Sequence, residues 1–160
     1  MNPTIALNDY NESQACALAK LYYQTIHKVN KTDYSDTQLE AWAPAETQLA
    51  EGWTQRFKKT RPIVATIDDK VVGFVEFIDN GYIDCFFVHY QHQNQGVGST
   101  LMEEISRRAK TKSINRVWAN VSVTAKPFFS HAGFTVLKEQ LVELRGCKLK
   151  NYLMEKRGRN

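Results

Sequence analysis

No stretch of the chain approaches the ~18 consecutive apolar residues that a membrane-crossing helix requires, so no membrane span is expected. The N-terminus, Met1-Asn2-Pro3-Thr4-Ile5, has neither a basic n-region nor an apolar h-region, and no secretory signal is read there. Cysteine is scarce. Cys16, Cys85 and Cys147 are odd in number and share no metal-ligand spacing, which argues against a disulfide framework or a zinc site. The expectation is a cytoplasmic protein without a bound metal. Repeats, linkers and low-complexity runs are missing too, so the 160 residues read as one domain, long enough to bury a sizeable core. Charge of one sign is not concentrated either. The net charge is +4, and the basic clusters (Lys58-Lys59 with Arg61, Arg107 to Lys110, Lys156 to Arg159) are short and not interleaved with aromatics. Nucleic acid is therefore not expected as a partner, whereas mild positive charge suits an anionic cofactor.

What is present centres on residues 81–112. Gly81 to His89 is an apolar run, Tyr90 to Gln95 a polar turn, and Gly96-Val97-Gly98 opens a helix. The first N–H groups of a helix have no intrahelical partner and sit at the positive end of its dipole, so a glycine-bearing helix start after a strand forms an anion site. Val97, Leu101, Met102, Ile105 and Ala109 recur on one helical face over 97–112, and Glu103 and Glu104 precede Arg107 and Arg108 by four residues on the other. Two phosphate-binding patterns do not fit. Leu101 stands where a dinucleotide fingerprint wants a small residue, and Gly98-Ser99-Thr100 lacks the P-loop lysine.

Along the rest of the chain, Thr4 to Leu7 reads as a short strand and Glu12 to Lys31 as a helix with Leu18, Leu21, Tyr22, Ile26 and Val29 inward. Ser35 and Gln38 form a capping box for a short helix over 36–42 that Pro44 stops. Leu49, Trp53 and Phe57 suggest a helix over 45–59. Strands are expected over 62–67, 71–78, 81–89, 116–121, 133–144 and 148–154, with a short helix over 125–132. The order is mixed α/β: a single domain with a twisted central sheet of six to seven strands and helices on both faces. Because a helix joins them, strands 81–89 and 116–121 should be parallel neighbours.

Gln93-Asn94-Gln95-Gly96-Val97-Gly98 resembles the Gln/Arg-x-x-Gly-x-Gly/Ala loop of the GNAT superfamily of N-acetyltransferases, and Ala125 to Phe134 is similar to that family's Ala-x-x-x-Tyr-x-x-x-Gly-Phe segment. Asp33-Tyr34-Ser35, the Phe128-Phe129 pair and the ending Asn151-Tyr152 with Met154 resemble the YafP-like branch of small bacterial acetyltransferases. The resemblance covers nearly the whole chain. It implies acetyl-CoA as co-substrate, held by main-chain groups of Val88 and His89 along its pantetheine arm and by Gln93, Asn94, Gln95, Gly96, Val97, Gly98 and Ser99 at its pyrophosphate, with Phe128 nearby. It also implies that strands 81–89 and 116–121 splay to admit the thioester. One departure is plain. Phe129 stands where many members carry a tyrosine thought to protonate the leaving thiolate, so that acid is absent.

Direct transfer to an amine of pKa ~10 needs a base, a donor for the oxyanion and help for the leaving thiolate. Asp84 and Glu76 are the candidate bases, because each interrupts an apolar strand; the alternative for both is a paired or wetter-face carboxylate. The N–H of Val88 is the candidate oxyanion donor, and Ser122, Thr124 or Ser130 could assist departure. Cys85 reads as inert filling. Tyr23, His27, Tyr34 and Trp42 are candidates for the acceptor pocket, with core packing and surface exposure as their alternatives. The expected activity is N-acetylation of a primary amine of a small molecule or peptide, and the rival is a CoA-binding module with little turnover. A homodimer is left open.

Overall fold

A computed structural model describes residues 4–158. Seven strands form one sheet in the order β1-β2-β3-β4-β5-β7-β6. In chain order these are β1 (Ala6–Asp9), β2 (Ile63–Ile67), β3 (Lys70–Phe77), β4 (Tyr82–Val88), β5 (Arg116–Ser122), β6 (Thr135–Leu144) and β7 (Cys147–Arg157). Neighbours are antiparallel except β4 and β5, which run parallel as their helical crossover requires. The helices are α1 (Ala15–Val29), α2 (Asp36–Trp42), α3 (Thr54–Thr60), α4 (Val97–Thr111) and α5 (Lys126–His131).

Each face of the sheet has its own core. Val97, Leu101, Met102 and Ile105 of α4 and Phe129 of α5 pack on Ile63, Val75, Ile83, Val117 and Val121. The opposite face takes Leu18 and Leu21 of α1 and Phe57 of α3 against Val64, Phe74 and Cys85. Beyond them Ile26, Tyr34 and Leu39 close over Leu149. Helix α4 sits unusually close to β3. A Cβ at Gly73 would lie 2.9 Å from Val97 Cγ1, so that position must lack a side chain for the helix start to reach the sheet.

Local chemistry explains where the elements begin and end. The Ser35 hydroxyl accepts the Gln38 N–H while the Gln38 side chain accepts the Ser35 N–H, the capping box that starts α2. Asn11 and Gln14 make a second box before α1. That box opens a 3₁₀ turn at Glu12–Gln14, so the helix proper starts later than the 12–31 pattern suggested.

The expected helix over 45–59 is broken: two 3₁₀ turns, Ala45–Gln48 and Ala50–Gly52, precede α3. The Trp53 indole N–H donates to the Thr47 carbonyl at 2.8 Å, tying a tight turn where a helix would have continued, and Leu49 is 54% exposed. Only Trp53 and Phe57 keep the helical spacing inward. The first strand also lies two residues later than its apolar signal, at Ala6–Asp9.

Gly81 starts the central strand with φ +93°, and a Cβ there would lie 2.0 Å from the carbonyl oxygen of Arg116. Both left-handed backbone and main-chain contact forbid a side chain at this point, which fixes β4 beside β5. Gly81→Ala is expected to destabilise the fold by at least about 3 kcal/mol in urea titration; a loss under about 1 kcal/mol would show that the two strands can separate there without penalty.

Candidate active site

The parallel pairing of β4 with β5 covers only Tyr82 with Trp118 and Ile83 with Ala119, after which the strands part while β5 stays paired with β7 to Ser122. The parting coincides with a bulge. Between the pairs Phe77–Ile83 and Val75–Phe86, two residues of β4, Asp84 and Cys85, face the single residue Glu76 of β3. A bulge adds twist and re-aims side chains. Its three residues meet one side chain: Arg56 of α3 donates to both oxygens of Glu76 (2.5 to 3.1 Å), lies 3.0 Å from Asp84 Oδ2 and 3.3 Å from Cys85 Sγ, and covers the Trp53 ring. The Thr60 hydroxyl donates to Glu76 Oε2 at 2.6 Å.

Glu76 is 0% exposed and fully engaged by these partners, which leaves it no route to a substrate. Of the two carboxylates expected from sequence, it is the structural one. The Asp84 side chain is 36% exposed and lines a cavity. Burial pushes its carboxyl above the ordinary range, Arg56 opposes that shift, and Glu76 adds to it. Burial likewise pushes the Cys85 thiol well up, so no thiolate is available for covalent catalysis. Glu76, Asp84 and Cys85 converge closely enough to suggest a metal site, but the Arg56 guanidinium already supplies the positive charge among them.

Past the bulge, antiparallel bonding alternates. The His89 N–H donates to Val72 O at 2.8 Å, so Val88, one residue earlier, turns its N–H and C=O toward the gap left by β5. The Val88 carbonyl accepts from Gln93 Nε2 at 2.7 Å and Thr25 Oγ1 at 3.2 Å; its N–H has no partner among the described residues. Gln93 therefore serves the strand with its side chain, beyond the main-chain role that the sequence suggested.

At the start of α4, Asn94 (φ +60°) and Gly96 (φ +87°) are left-handed and turn the loop into the helix. The first N–H with an intrachain acceptor is that of Thr100, to Gly96 O at 3.0 Å; those from Asn94 to Ser99 have none among the described residues. A Cβ at Gly98 would lie 3.0 Å from Phe128 Cε1, so the phenyl ring covers the helix start at van der Waals distance.

A cavity of about 490 Å³ lies over these amides and is lined by Val88, Asn94, Gly96, Gly98, Ser99 and Phe128, among others. Gln93 and His131 also border it, whereas Gln95 and the buried Val97 side chain do not. The His89 ring accepts the Gln91 N–H and likewise lies off the cavity.

On the other side of the parting is a second cavity of about 450 Å³. Phe86, Phe87, Ser122, Ala125 and Phe129 border both, so the two meet where the strands separate. Asp84 is the one carboxylate lining either. Tyr34 and Trp42 line the second cavity, and the Tyr34 hydroxyl also bridges two segments: it accepts the Val123 N–H at 2.9 Å and donates to Lys150 O at 2.6 Å. Tyr23 and His27 border neither cavity. Their rings are 4.3 Å apart and tilted by 36°, and His27 Nε2 is 2.7 Å from the Ala43 carbonyl oxygen. The Ser122 hydroxyl accepts from Ala125 N at 3.0 Å and Asn30 Nδ2 at 3.4 Å, which leaves its own proton free to donate. Thr124 is turned to Asp33.

Sequence reasoning missed Arg56, Thr25, Asn30 and Tyr22. A signal existed for the first: a glutamate in an apolar strand must find a cation, and Arg56 sits among the inward positions Trp53 and Phe57. Tyr22 was read as core. It borders the second cavity, and burial pushes its phenol well above the ordinary range, so it stays protonated.

The family description "Acetyltransferase (GNAT) domain" matches residues 30–156. The chain belongs to the GNAT acetyltransferases. It is 31% identical over 150 residues to an uncharacterized N-acetyltransferase, YafP, of Escherichia coli K12, covering 94% of each chain. Among solved structures, a GCN5-related N-acetyltransferase of Rhodopseudomonas palustris shares 27% identity with a TM-score of 0.91, over 98% of both chains. A PaiA N-acetyltransferase from Thermoplasma acidophilum, solved in complex with coenzyme A, shares 17% identity with a TM-score of 0.75, over 97% of this chain and 99% of that one. Membership makes this an acyltransferase, and the parted strands and uncapped helix start are the features of this GNAT chain on which its chemistry can be built. No helix among the described residues is long and apolar enough to cross a membrane.

Removing one member of a buried ion pair strands the other, whereas removing both need not cost stability. Arg56→Met should lower unfolding free energy by about 3–5 kcal/mol, and adding Glu76→Met should restore at least about 1 kcal/mol. Equal stability of single and double variants in urea titration would contradict the assignment of Glu76 as a buried charge dependent on Arg56.

Proposed function

We propose that this GNAT chain is an acetyl-CoA-dependent N-acetyltransferase that moves the acetyl group by direct attack of a primary amine of a small molecule or peptide. The observation that carries the reading is the run of N–H groups from Asn94 to Ser99 without partners among the described residues, four of whose residues (Asn94, Gly96, Gly98 and Ser99) line a cavity that joins a second one at the strand parting. These residues fit the cofactor: a helix start with free amides suits a pyrophosphate, and the space where a Cβ of Gly96 would stand is open, the nearest atom being Ile5 Cδ1 at 3.9 Å. The free Val88 N–H suits the pantetheine arm or thioester end. Acetyl-CoA, when bound, supplies an activated acetyl thioester.

The chain's own groups then divide the work. Asp84, the carboxylate bordering the second cavity, takes the proton from the incoming ammonium, directly or through water. The Val88 N–H, facing the gap with no competitor, is the donor for developing negative charge on oxygen. The Ser122 hydroxyl, at the junction of the cavities with its proton uncommitted, is the donor for the departing thiolate in the absence of a tyrosine at Phe129. A thiol of pKa ~8.5 leaves readily enough for this weak acid to suffice. The second reading, a CoA-binding module with little turnover, is favoured by Phe129 alone; no amine acetylated by the natural chain, with activity appearing in Phe129→Tyr, would establish it.

Acetyl-CoA at 100 times its dissociation constant should stabilise the protein by about 2.7 kcal/mol in thermal unfolding, and Gly96→Glu, which places a charged side chain at φ +87° beside the cavity, should abolish the shift. An undiminished shift in Gly96→Glu would refute the cradle.

Asp84 acts only when ionised. Because its carboxyl is raised, kcat at saturating amine should fall as pH drops through a value above the ordinary carboxylate range. Asp84→Asn should lower kcat about a hundredfold or more and remove that acid limb; an unchanged limb would exclude Asp84 as the base.

A further inference from the structure

The second cavity has an unequal charge inventory. Its cationic residues are Arg56 and Lys150, and both are already engaged: Arg56 by Glu76 and Asp84, Lys150 by Glu139 at 2.8 Å. Its one carboxylate, Asp84, shares Arg56 with the buried Glu76, so two acidic groups draw on a single guanidinium. A carboxylate, phosphate or phosphinate on an incoming molecule would meet Asp84, and would have to draw Lys150 from Glu139 or Arg56 from two carboxylates to gain a cation. An ammonium would find the charge balance it needs.

The remaining walls are mostly apolar, with the neutral polar side chains of Tyr82, Asn120, Ser122 and Asn151 among them. Tyr22 stands edge-on to Phe87 at 5.0 Å, and Tyr34 edge-on to Trp42 at 5.4 Å, so two aromatic pairs face the space. Val142, Leu144 and Leu149 of β6 and β7 close the far side. The phenols of Tyr22 and Tyr34 are buried and protonated, so they add no charge. A body packed here gains from apolar burial and from aromatic edges, and a second ammonium at the same depth would meet only rings, aliphatic side chains and neutral polar groups, with no second carboxylate to receive its charge.

From this arrangement we infer that the acceptor is a primary monoamine carrying an apolar, aromatic-sized body and no acidic group: an arylalkylamine, as distinct from an amino acid or a polyamine. The inference rests on the transferase reading of the same site. The ammonium is drawn to Asp84 at the strand parting, and the body lies between Trp42 and Leu149. On transfer Asp84, directly or through water, takes one proton from the ammonium and passes it to solvent; the neutral amine nitrogen forms a bond to the acetyl carbon, the carbon–sulfur bond of the thioester breaks, and the nitrogen's second proton reaches the departing thiolate through the Ser122 hydroxyl, which donates one proton and regains one, or through water, so that CoA leaves as the thiol.

Binding and turnover must be measured separately. Calorimetric titration of phenethylamine, phenylalanine and spermidine into the full chain saturated with CoA should give an affinity for phenethylamine at least about tenfold above the other two, since like-charge juxtaposition and unpaired buried charge both act against them. Trp42→Ala should remove most of the advantage of phenethylamine over propylamine. Phenylalanine or spermidine binding as well as phenethylamine, no binding by any of the three, or an unchanged advantage in Trp42→Ala would overturn the inference. Steady-state transfer from acetyl-CoA in parallel tells the two levels apart. Phenethylamine bound but never acetylated leaves the amine class standing and removes the transferase reading. Acetylation with phenylalanine preferred keeps the transferase and removes the amine class.

Discussion

The grip of Arg56 on the β4 bulge is the contact from which the site follows. Asp84 and Cys85 oppose one residue, Glu76, and a single guanidinium touches all three. An extra residue in a central strand costs ladder hydrogen bonds and leaves two carboxylates near one another. The charge between them makes that arrangement tolerable, and the strand turns away from β5 beyond it. Glu76 belongs to the fold and Asp84 to the cavity, yet neither position makes electrostatic sense without Arg56.

Parting the strands exposes main chain that a continuous sheet would consume. Val88 presents to the gap an N–H with no partner among the described residues, while Thr25 from α1 and Gln93 from the loop before α4 satisfy its carbonyl. The same region places Asn94, Gly96, Gly98 and Ser99, whose amides have no partner among the described residues, at one cavity and the aromatic side chains of α1 and α2 around the other. Tyr34 ties these halves, since its hydroxyl holds both the exit of β5 at Val123 and the partner strand at Lys150. Phe129, buried against Phe86 and Phe134, divides the cavities by its bulk and takes no part in proton transfer.

Much of this was legible in the residues, for physical reasons. The Gly96-Val97-Gly98 helix start, the capping box at Ser35 and the parallel pair of β4 and β5 each rest on short-range stereochemistry or a connection rule, and all three hold. The failures lie where tertiary contacts decide. Leu49 kept helical spacing with Trp53, but the indole bond to Thr47 favours a tight turn. Asp84 and Glu76 looked alike as charges in apolar strands; only the bulge sends one to a cavity and buries the other. Tyr23 and His27 stood on a plausible helix face that turns out to border neither cavity, while Tyr22, read as core, borders one.

The central claim is that main-chain amides at the strand parting and the α4 start receive the cofactor. Amide nitrogen–proton NMR of the labelled protein during titration with CoA tests it directly. The largest shifts are expected at Val88 and at Gly96, Val97, Gly98 and Ser99, with Thr100, already bonded to Gly96, and the Glu76 amide far less affected. Saturable binding that leaves those four helix-start amides and Val88 unshifted while others move would contradict the account.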